Sequence, residues 1–355
     1  MPKPIFTKLL KVKLPEFDNH VSVSFLYEPK TNLRAFVAVH RKKDDSPSFG
    51  ATRILSYKSE IDALRDALRL SKTMSYKAVS TGLPCGGAKG VIMLPQGRQI
   101  TQSQKRKILR SYAKQLNLWS GNFITGTDVG ISQEDLLFMK RESNFLTGFS
   151  GEAARMTALG VFYSLESVFG IIFGKKSISK RSFAIQGLGK VGEELLELIY
   201  HGAKTIYISD ADPIRVKKIK KSYPRVRVVS PKVIHKQKVD AFCPCALSGV
   251  VNGSTVGELV CAVVAGGANN QLSSESLGRV LFKRGIIYVP DYIANAGGLI
   301  AVYDEYHRGN FKKSRVLKKV KLIARTTEKI ILASRKNGQP TNYITNKLAA
   351  RALGQ

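Results

Sequence analysis

Apolar and polar positions follow two different rhythms along this chain. In the first part, Leu33-Arg34-Ala35-Phe36-Val37-Ala38-Val39 reads as a strand, and Ile61, Leu64, Ala67, Leu68 and Leu70 recur at helical spacing through residues 60–75. A glycine-rich loop over residues 83–90 is predicted next, leading into the apolar run Val91-Ile92-Met93-Leu94. A second helix over 103–118 precedes Thr125-Gly126-Thr127-Asp128-Val129-Gly130, so residues up to about 147 read as one mixed α/β domain.

Beyond residue 155 the rhythm becomes helix, strand, glycine turn and helix. Residues 157–169 read as a helix, 183–186 as a buried strand, 190–200 as a helix and 205–210 as the next strand. The short apolar runs at 241–242, 262–265 and 286–289 complete what a doubly wound parallel sheet requires. A long basic amphipathic helix is expected over 312–333, with the C-terminal helix returning to the first domain. The expected fold is thus α/β in two domains, residues 1–147 plus 327–355 and residues 148–326, with a cleft between them.

Composition narrows this picture. A chain of 355 residues exceeds what one core usually organises. No stretch approaches the roughly eighteen consecutive apolar residues of a membrane span, and residues 1–13 alternate basic and apolar positions, unlike a secretion signal. A soluble cytoplasmic protein without membrane contact is the expectation. The four cysteines, Cys85, Cys243, Cys245 and Cys261, match neither a disulfide framework nor a zinc knuckle, so reduced thiols and no metal are expected. The net charge of +31 allows two readings, a polyanion-binding surface or a generally solvated basic one. Lysine and arginine are densest at 215–221 and 312–325 but are scattered elsewhere, and no nucleic-acid module accompanies them, which favours the solvated surface.

Two groups of residues carry candidate chemistry. Gly187-Leu188-Gly189-Lys190-Val191-Gly192 joins a strand to a helix, where glycines allow a tight turn and let backbone approach a pyrophosphate at the helix N-terminus. Asp210 ends the next strand, where a carboxylate accepts from ribose hydroxyls and repels an added phosphate; NAD is therefore expected over NADP, although Arg215, Lys217 and Lys218 stand near enough in sequence to neutralise it. In the first domain, Lys77 ends a helix and Lys89 follows Gly86 and Gly87. Each lysine alone reads as a surface charge, but partial burial beside a second cation would make Lys89 a base near neutral pH. Asp128, between small residues and glycines, reads equally as a turn or as a site residue.

Taken in order, Gly50-Ala51-Thr52-Arg53, Met74-Ser75-Tyr76-Lys77, Gly86-Gly87-Ala88-Lys89-Gly90, residues 125–130, Gly187 to Gly192, Pro244-Cys245-Ala246-Leu247, Gly267-Ala268-Asn269-Asn270-Gln271-Leu272 and Pro290-Asp291-Tyr292 through Asn295-Ala296-Gly297-Gly298 resemble the glutamate, leucine, phenylalanine and valine dehydrogenase superfamily, the phenylalanine and leucine branch most closely. The resemblance spans about residues 32–305. It implies an N-terminal substrate and oligomerisation domain, a Rossmann-type NAD domain, and a homo-oligomer, commonly a dimer or an octamer.

It also implies roles. Lys77 would bind the substrate carboxylate with help from Gly50 and Ala51, Lys89 would be the general acid/base, and Asp128 would assist it. Thr157 and Ala246 would contact the cofactor, and Asn269 would lie near nicotinamide and substrate amino group. The implied reaction is reversible oxidative deamination of an L-amino acid to its 2-oxo acid and ammonia: hydride leaves the α-carbon, and Lys89 deprotonates the water that attacks the iminium. Phe49, Gly126, Leu299 and Val302 would line the side-chain pocket. None is charged, which disfavours glutamate. Gly126 with Leu299 resembles the phenylalanine enzymes, whereas the bulk of Phe49 either shortens the pocket or stacks on an aromatic substrate, leaving leucine and valine as alternatives. The departures are a segment between Gly148 and Thr157 that is shorter than in relatives, Ala88 where a third glycine is common, and the basicity. A non-catalytic basic binding protein on the same scaffold is the rival reading, and Lys77, Lys89 and Asp128 together argue against it.

Overall fold

The computed structural model describes residues 14–41, 46–94, 96–97, 100–246 and 248–354. The N-terminal alternation through residue 13 and the motif residue Leu247 lie outside the described residues. The chain divides into two compact units, one holding the residues up to Gly151 with Val302–Asn310, the other Glu152–Ala301 with the residues from Phe311 on.

The first unit is a mixed sheet of β1 (Ser22–Glu28), β2 (Leu33–Arg41), β3 (Ser48–Phe49), β4 (Thr52–Ser56), β5 (Gly86–Leu94) and β6 (Phe123–Ile124). Its order is β1-β2-β5-β3-β6, with β4 also paired to β5. Strands β1, β2 and β5 are antiparallel neighbours, while β3 and β4 run parallel to β5. The expected glycine-rich loop is therefore corrected: from Gly86 on, it is the central strand. Glycine is needed there because neighbours crowd the strand. A β-carbon on Gly86 would lie 1.9 Å from the Arg41 carbonyl oxygen, one on Gly87 2.0 Å from the Ser75 nitrogen, and one on Gly90 2.2 Å from the Tyr112 hydroxyl.

Helix Glu60–Ser80 starts where the Ser59 side chain accepts from the Asp62 amide. It buries Ala63, Leu64, Ala67 and Leu68 against Ala38, Val91 and Met93 of the sheet. Helix Gln102–Leu116 buries Ile108, Leu109 and Tyr112 in a separate cluster with Val37, Ala88 and Ile92. Ala38 is paired with Lys89, and Arg53 with Val91. Paired residues share a face, so this register turns Lys89 and Arg53 toward helix Glu60–Ser80.

The second unit is an all-parallel sheet in the order β12-β11-β10-β7-β8-β9, built from β7 (Ser182–Gln186), β8 (Thr205–Ser209), β9 (Arg227–Val228), β10 (Val239–Pro244), β11 (Cys261–Val264) and β12 (Ile287–Tyr288). The order reverses between β7 and β10, the switch point at which such sheets bind ligands. Helices cover both faces. Val161, Leu165, Val168 and Phe169 pack with Phe183, Ile185, Leu195 and Val263 in one cluster, and Leu277 and Leu281 pack with Ala184, Phe242 and Val264 in the other.

Helix Ala153–Phe173 is long and apolar enough to cross a membrane by length and composition, although Arg155 and Glu166 interrupt its apolar run. Its apolarity is used in this core.

The long basic tail helix is corrected as well. It breaks at Lys321 into Lys313–Val320 and Leu322–Asn337, followed by Thr341–Ala352. These helices pack within the second unit instead of returning to the first. Ser167 Oγ donates to the Ala324 carbonyl at 2.9 Å, Ile331 joins the core of Val161 and Leu165, and the Thr341 hydroxyl donates to the Tyr288 carbonyl at 2.5 Å. The apolar stripe of Leu322–Asn337 thus finds its partner on helix Ala153–Phe173. All four cysteines are free thiols, Cys85 and Cys243 buried, Cys245 and Cys261 partly so. Burial pushes the Cys245 thiol up to about 11 and the Cys261 thiol up to about 12.

Candidate functional site

In the first unit the alternation of β5 and the parallel neighbour β4 bring three charged side chains together. Lys89 Nζ donates to Asp128 Oδ2 at 2.5 Å, and Arg53 Nε donates to the same oxygen at 3.0 Å. Lys89 is 3% exposed. Burial pulls the Lys89 ammonium below the usual lysine range; Asp128 opposes that and Arg53 reinforces it. Burial alone would raise the Asp128 carboxyl, but Lys89 and Arg53 outweigh it and hold the group well below the usual carboxylate range. The pair thus couples an amine that releases its proton readily to a carboxylate that stays charged.

The network extends further. Arg53 also donates to Asp66 Oδ2 at 2.9 Å; the Tyr57 hydroxyl donates to that oxygen at 2.8 Å, and Arg69 reaches Asp66 Oδ1 at 3.2 Å. Asp66, Tyr57 and the role of Arg53 were missed in the sequence. The available signal was an acid at position 66 on the apolar stripe of Ala63, Ala67 and Leu70, which a buried helix face tolerates only with partners.

Lys77 lies buried in the last turn of helix Glu60–Ser80, two residues beyond the Ser75 nitrogen that crowds Gly87. The Gly50-Ala51 connection is clamped between strands: the Gly50 amide donates to Ile124 O at 3.0 Å, Ala51 O accepts from the Gly90 amide at 3.1 Å, and a β-carbon at 50 would sit 2.0 Å from Ala88 O. Phe49 is fully buried, its ring 5.1 Å from that of Tyr303 and 5.6 Å from those of Tyr306 and His307. Of the expected pocket residues, Phe49, Gly126 and Val302 fall in the first unit and Leu299, itself buried, in the second. In the first unit, too, the Glu305 carboxylate accepts from three consecutive amides, Gly148 at 2.9 Å, Phe149 at 2.6 Å and Ser150 at 3.1 Å.

In the second unit the three motif glycines have three distinct jobs. Gly187 takes φ +95°, a turn conformation that disfavours side chains, and a β-carbon there would lie 2.7 Å from the Ala246 nitrogen. Gly192 packs on Gly187, where a β-carbon would be 2.0 Å from the carbonyl oxygen. Gly189, the N-cap of helix Lys190–Tyr200, faces open space, so nothing hinders a ligand phosphate from approaching the helix N-terminus. Leu188, Lys190 and Val191 complete the turn and first helical residues. Asp210 Oδ2 accepts from the Leu188 amide at 2.7 Å, Oδ1 accepts from the Asp212 amide at 2.9 Å, and one Arg215 nitrogen lies 3.0 Å from both oxygens. These residues fit an adenine dinucleotide. Asn269 Oδ1 accepts from Asn295 Nδ2 at 2.9 Å, and the buried Thr157 hydroxyl donates to Ala153 O at 2.7 Å beside Gly298.

Residues 148–218 and 212–352 match the family model "Glutamate/Leucine/Phenylalanine/Valine dehydrogenase", and residues 18–145 match "Glu/Leu/Phe/Val dehydrogenase, dimerisation domain". The chain is 36% identical over 352 residues to a phenylalanine dehydrogenase of Caldalkalibacillus thermarum, covering 96% of this chain and 93% of the relative. It is 33% identical over 346 residues to a leucine dehydrogenase of Bacillus cereus, covering 96% and 92%. The crystal structure of L-tryptophan dehydrogenase from Nostoc punctiforme superposes with TM-score 0.76 at 35% identity, covering 94% of this chain and 96% of that one.

Proposed function

This chain belongs to the Glu/Leu/Phe/Val dehydrogenase family, and on that premise we propose that it oxidatively deaminates an apolar L-amino acid, an aromatic one ahead of leucine or valine, with NAD as the oxidant. The observation that carries this reading is the buried Lys89–Asp128 pair at 2.5 Å, in which the amine is tuned toward proton release.

Lys77 holds the substrate carboxylate, with the Gly50-Ala51 backbone beside it. Gly187 to Gly192, Asp210, Thr157, Ala246 and Asn269 would hold the dinucleotide, which when bound would supply hydride acceptance. Lys89 takes the proton from the water that attacks the substrate iminium. It then returns that proton to the carbinolamine nitrogen and accepts the hydroxyl proton as the C–N bond breaks and ammonia leaves, and Asp128 stabilises each ammonium form of Lys89. A neutral Lys89 can do the first and a protonated Lys89 the second, so a lowered pKa serves both.

For the substrate side chain, none of Phe49, Gly126, Leu299 and Val302 carries a cation, and burying a glutamate carboxylate without one costs several kcal/mol. The test follows NADH formation with phenylalanine, tryptophan, leucine, valine and glutamate offered separately. Turnover led by an aromatic substrate is expected; turnover led by leucine or valine would make Phe49 the limiting wall, and no turnover with any would overturn the reading. A homo-oligomer formed through the first unit is part of it, supported by the dimerisation-domain match and by Phe25 and Tyr27, exposed on edge strand β1. We read the basic surface as solvated: in helix Pro213–Ser222 only Ile219 is buried.

A further inference from the structure

We infer that Arg53 is a positioning residue for the Lys89–Asp128 pair, keeping the Asp128 carboxylate partnered whichever charge state Lys89 holds. The inference rests on the reading of Lys89 as the base and goes beyond it in assigning the residue that lets the base cycle. Its geometric basis is the shared oxygen: Asp128 Oδ2 accepts from Lys89 Nζ at 2.5 Å and from Arg53 Nε at 3.0 Å.

Were Lys89 the sole partner, each loss of its proton would leave a buried carboxylate uncompensated, and that cost would hold the proton on Lys89. A guanidinium on the same oxygen removes the cost, because it does not deprotonate. It also repels the ammonium form of Lys89. The groups facing this centre are Lys89 from β5, Arg53 from β4, Asp128 from the segment after β6, and Asp66 from helix Glu60–Ser80, with Tyr57 and Arg69 on Asp66. Among Lys89, Arg53, Asp128 and Asp66, two cations balance two anions. Removing Arg53 takes the second cation off Asp128 while Arg69 stays on Asp66, so Lys89 faces the Asp128 charge without that competitor and its proton is held more tightly.

Only arginine suits the position. Its fork spans two carboxylates at once, Nε on Asp128 and Nη1 on Asp66 at 2.9 Å, which fixes its plane. A lysine ammonium is a point charge and cannot hold both.

The experiment is the pH dependence of kcat/KM for wild type, Arg53→Gln and Arg53→Lys, with NADH affinity by fluorescence titration as the folding control. In Arg53→Gln the acid-side limb is expected to move up by about one pH unit, so that on that limb kcat/KM falls about tenfold at fixed pH. Arg53→Lys should move it about half as far. NADH affinity should stay at the wild-type value. An unmoved limb in a variant that binds NADH normally, with activity lowered evenly at every pH, would overturn the inference; should Arg53→Gln not fold, the limb of Arg53→Lys decides the matter in the same way. Lys89→Gln separates the two levels. If it still turns over, the reading of Lys89 as base fails, whereas an inert Lys89→Gln with an unmoved Arg53→Gln limb sinks this inference alone.

Discussion

A β-carbon at residue 126 would stand 2.9 Å from the carbonyl oxygen of Thr147, whose hydroxyl in turn donates to the carbonyl of Val302 at 2.8 Å. Gly126 is therefore required by its backbone neighbour as well as being an expected pocket residue. In Gly126→Ala, Thr147 must yield and Val302 with it. We expect a loss of about 1–2 kcal/mol in thermal unfolding and a fall of about tenfold in the kcat/KM ratio of phenylalanine to leucine. An unchanged ratio would leave Gly126 a backbone requirement and nothing more.

The Asp210 carboxylate is shared among two amides and Arg215, and the burial that would raise it is outweighed by those partners, which hold it below the usual range. Asp210→Ala is expected to weaken NAD use and to lower the kcat/KM preference for NAD over NADP at least about tenfold. Arg215→Ala, which takes the guanidinium off the carboxylate and leaves it the two amides, should sharpen that preference. Steady-state kinetics with both cofactors decides it; equal ratios in all three proteins would remove Asp210 from cofactor choice.

Glu305 satisfies three amides at Gly148, Phe149 and Ser150. Glu305→Ala orphans all of them, and a stability loss of about 2–4 kcal/mol is expected in urea unfolding. Glu305→Gln, which keeps one acceptor oxygen, should lose less. A loss below about 0.5 kcal/mol in the alanine variant would mean that water takes over the contacts.

Two buried histidines set an acid limit for the first unit. His20 Nε2 contacts Leu68 O and Ser71 Oγ, each at 3.0 Å, and the His40 ring lies 4.8 Å away. Burial, then the neighbouring His40, pulls His20 down to about 4. A histidine with a lowered folded pKa is neutral in the fold and protonated when unfolded, so its contribution is complete above about pH 6.5 and is lost progressively below that. Unfolding by urea should show about 2 kcal/mol less stability at pH 5 than at pH 7 from this group. In His20→Gln the pH dependence should shrink by that amount, and an identical slope would show that other groups carry it.

The second unit was readable because its central strands β7 and β10 are largely buried and glycine turns punctuate the pattern, so helix Lys190–Tyr200 emerges with its bounds intact, whereas the exposed edge strand β9 carries no such signal. Strand β5 was not, because its glycines answer to Arg41, Ser75 and Tyr112, partners far away in sequence that no local rule contains. The Lys89–Asp128 approach was legible only as a resemblance. Arg53 and Asp66 were not legible as a pair, since their link depends on β4 lying in register with β5 beneath a helix. The placement of the tail failed for a similar reason: an amphipathic stripe announces that it needs a partner without saying which.

The placement of the four thiols makes them internal clocks for opening. Cys85 belongs to one unit and Cys243, Cys245 and Cys261 to the other, and three of them are held above the usual thiol range by burial. A folded chain should therefore ignore an alkylating reagent near neutral pH. Each unit would announce its own unfolding by the moment its cysteines take up label, one adduct from the first and three from the second, so mass spectrometry of a timed pulse would report which half of the enzyme lets go first.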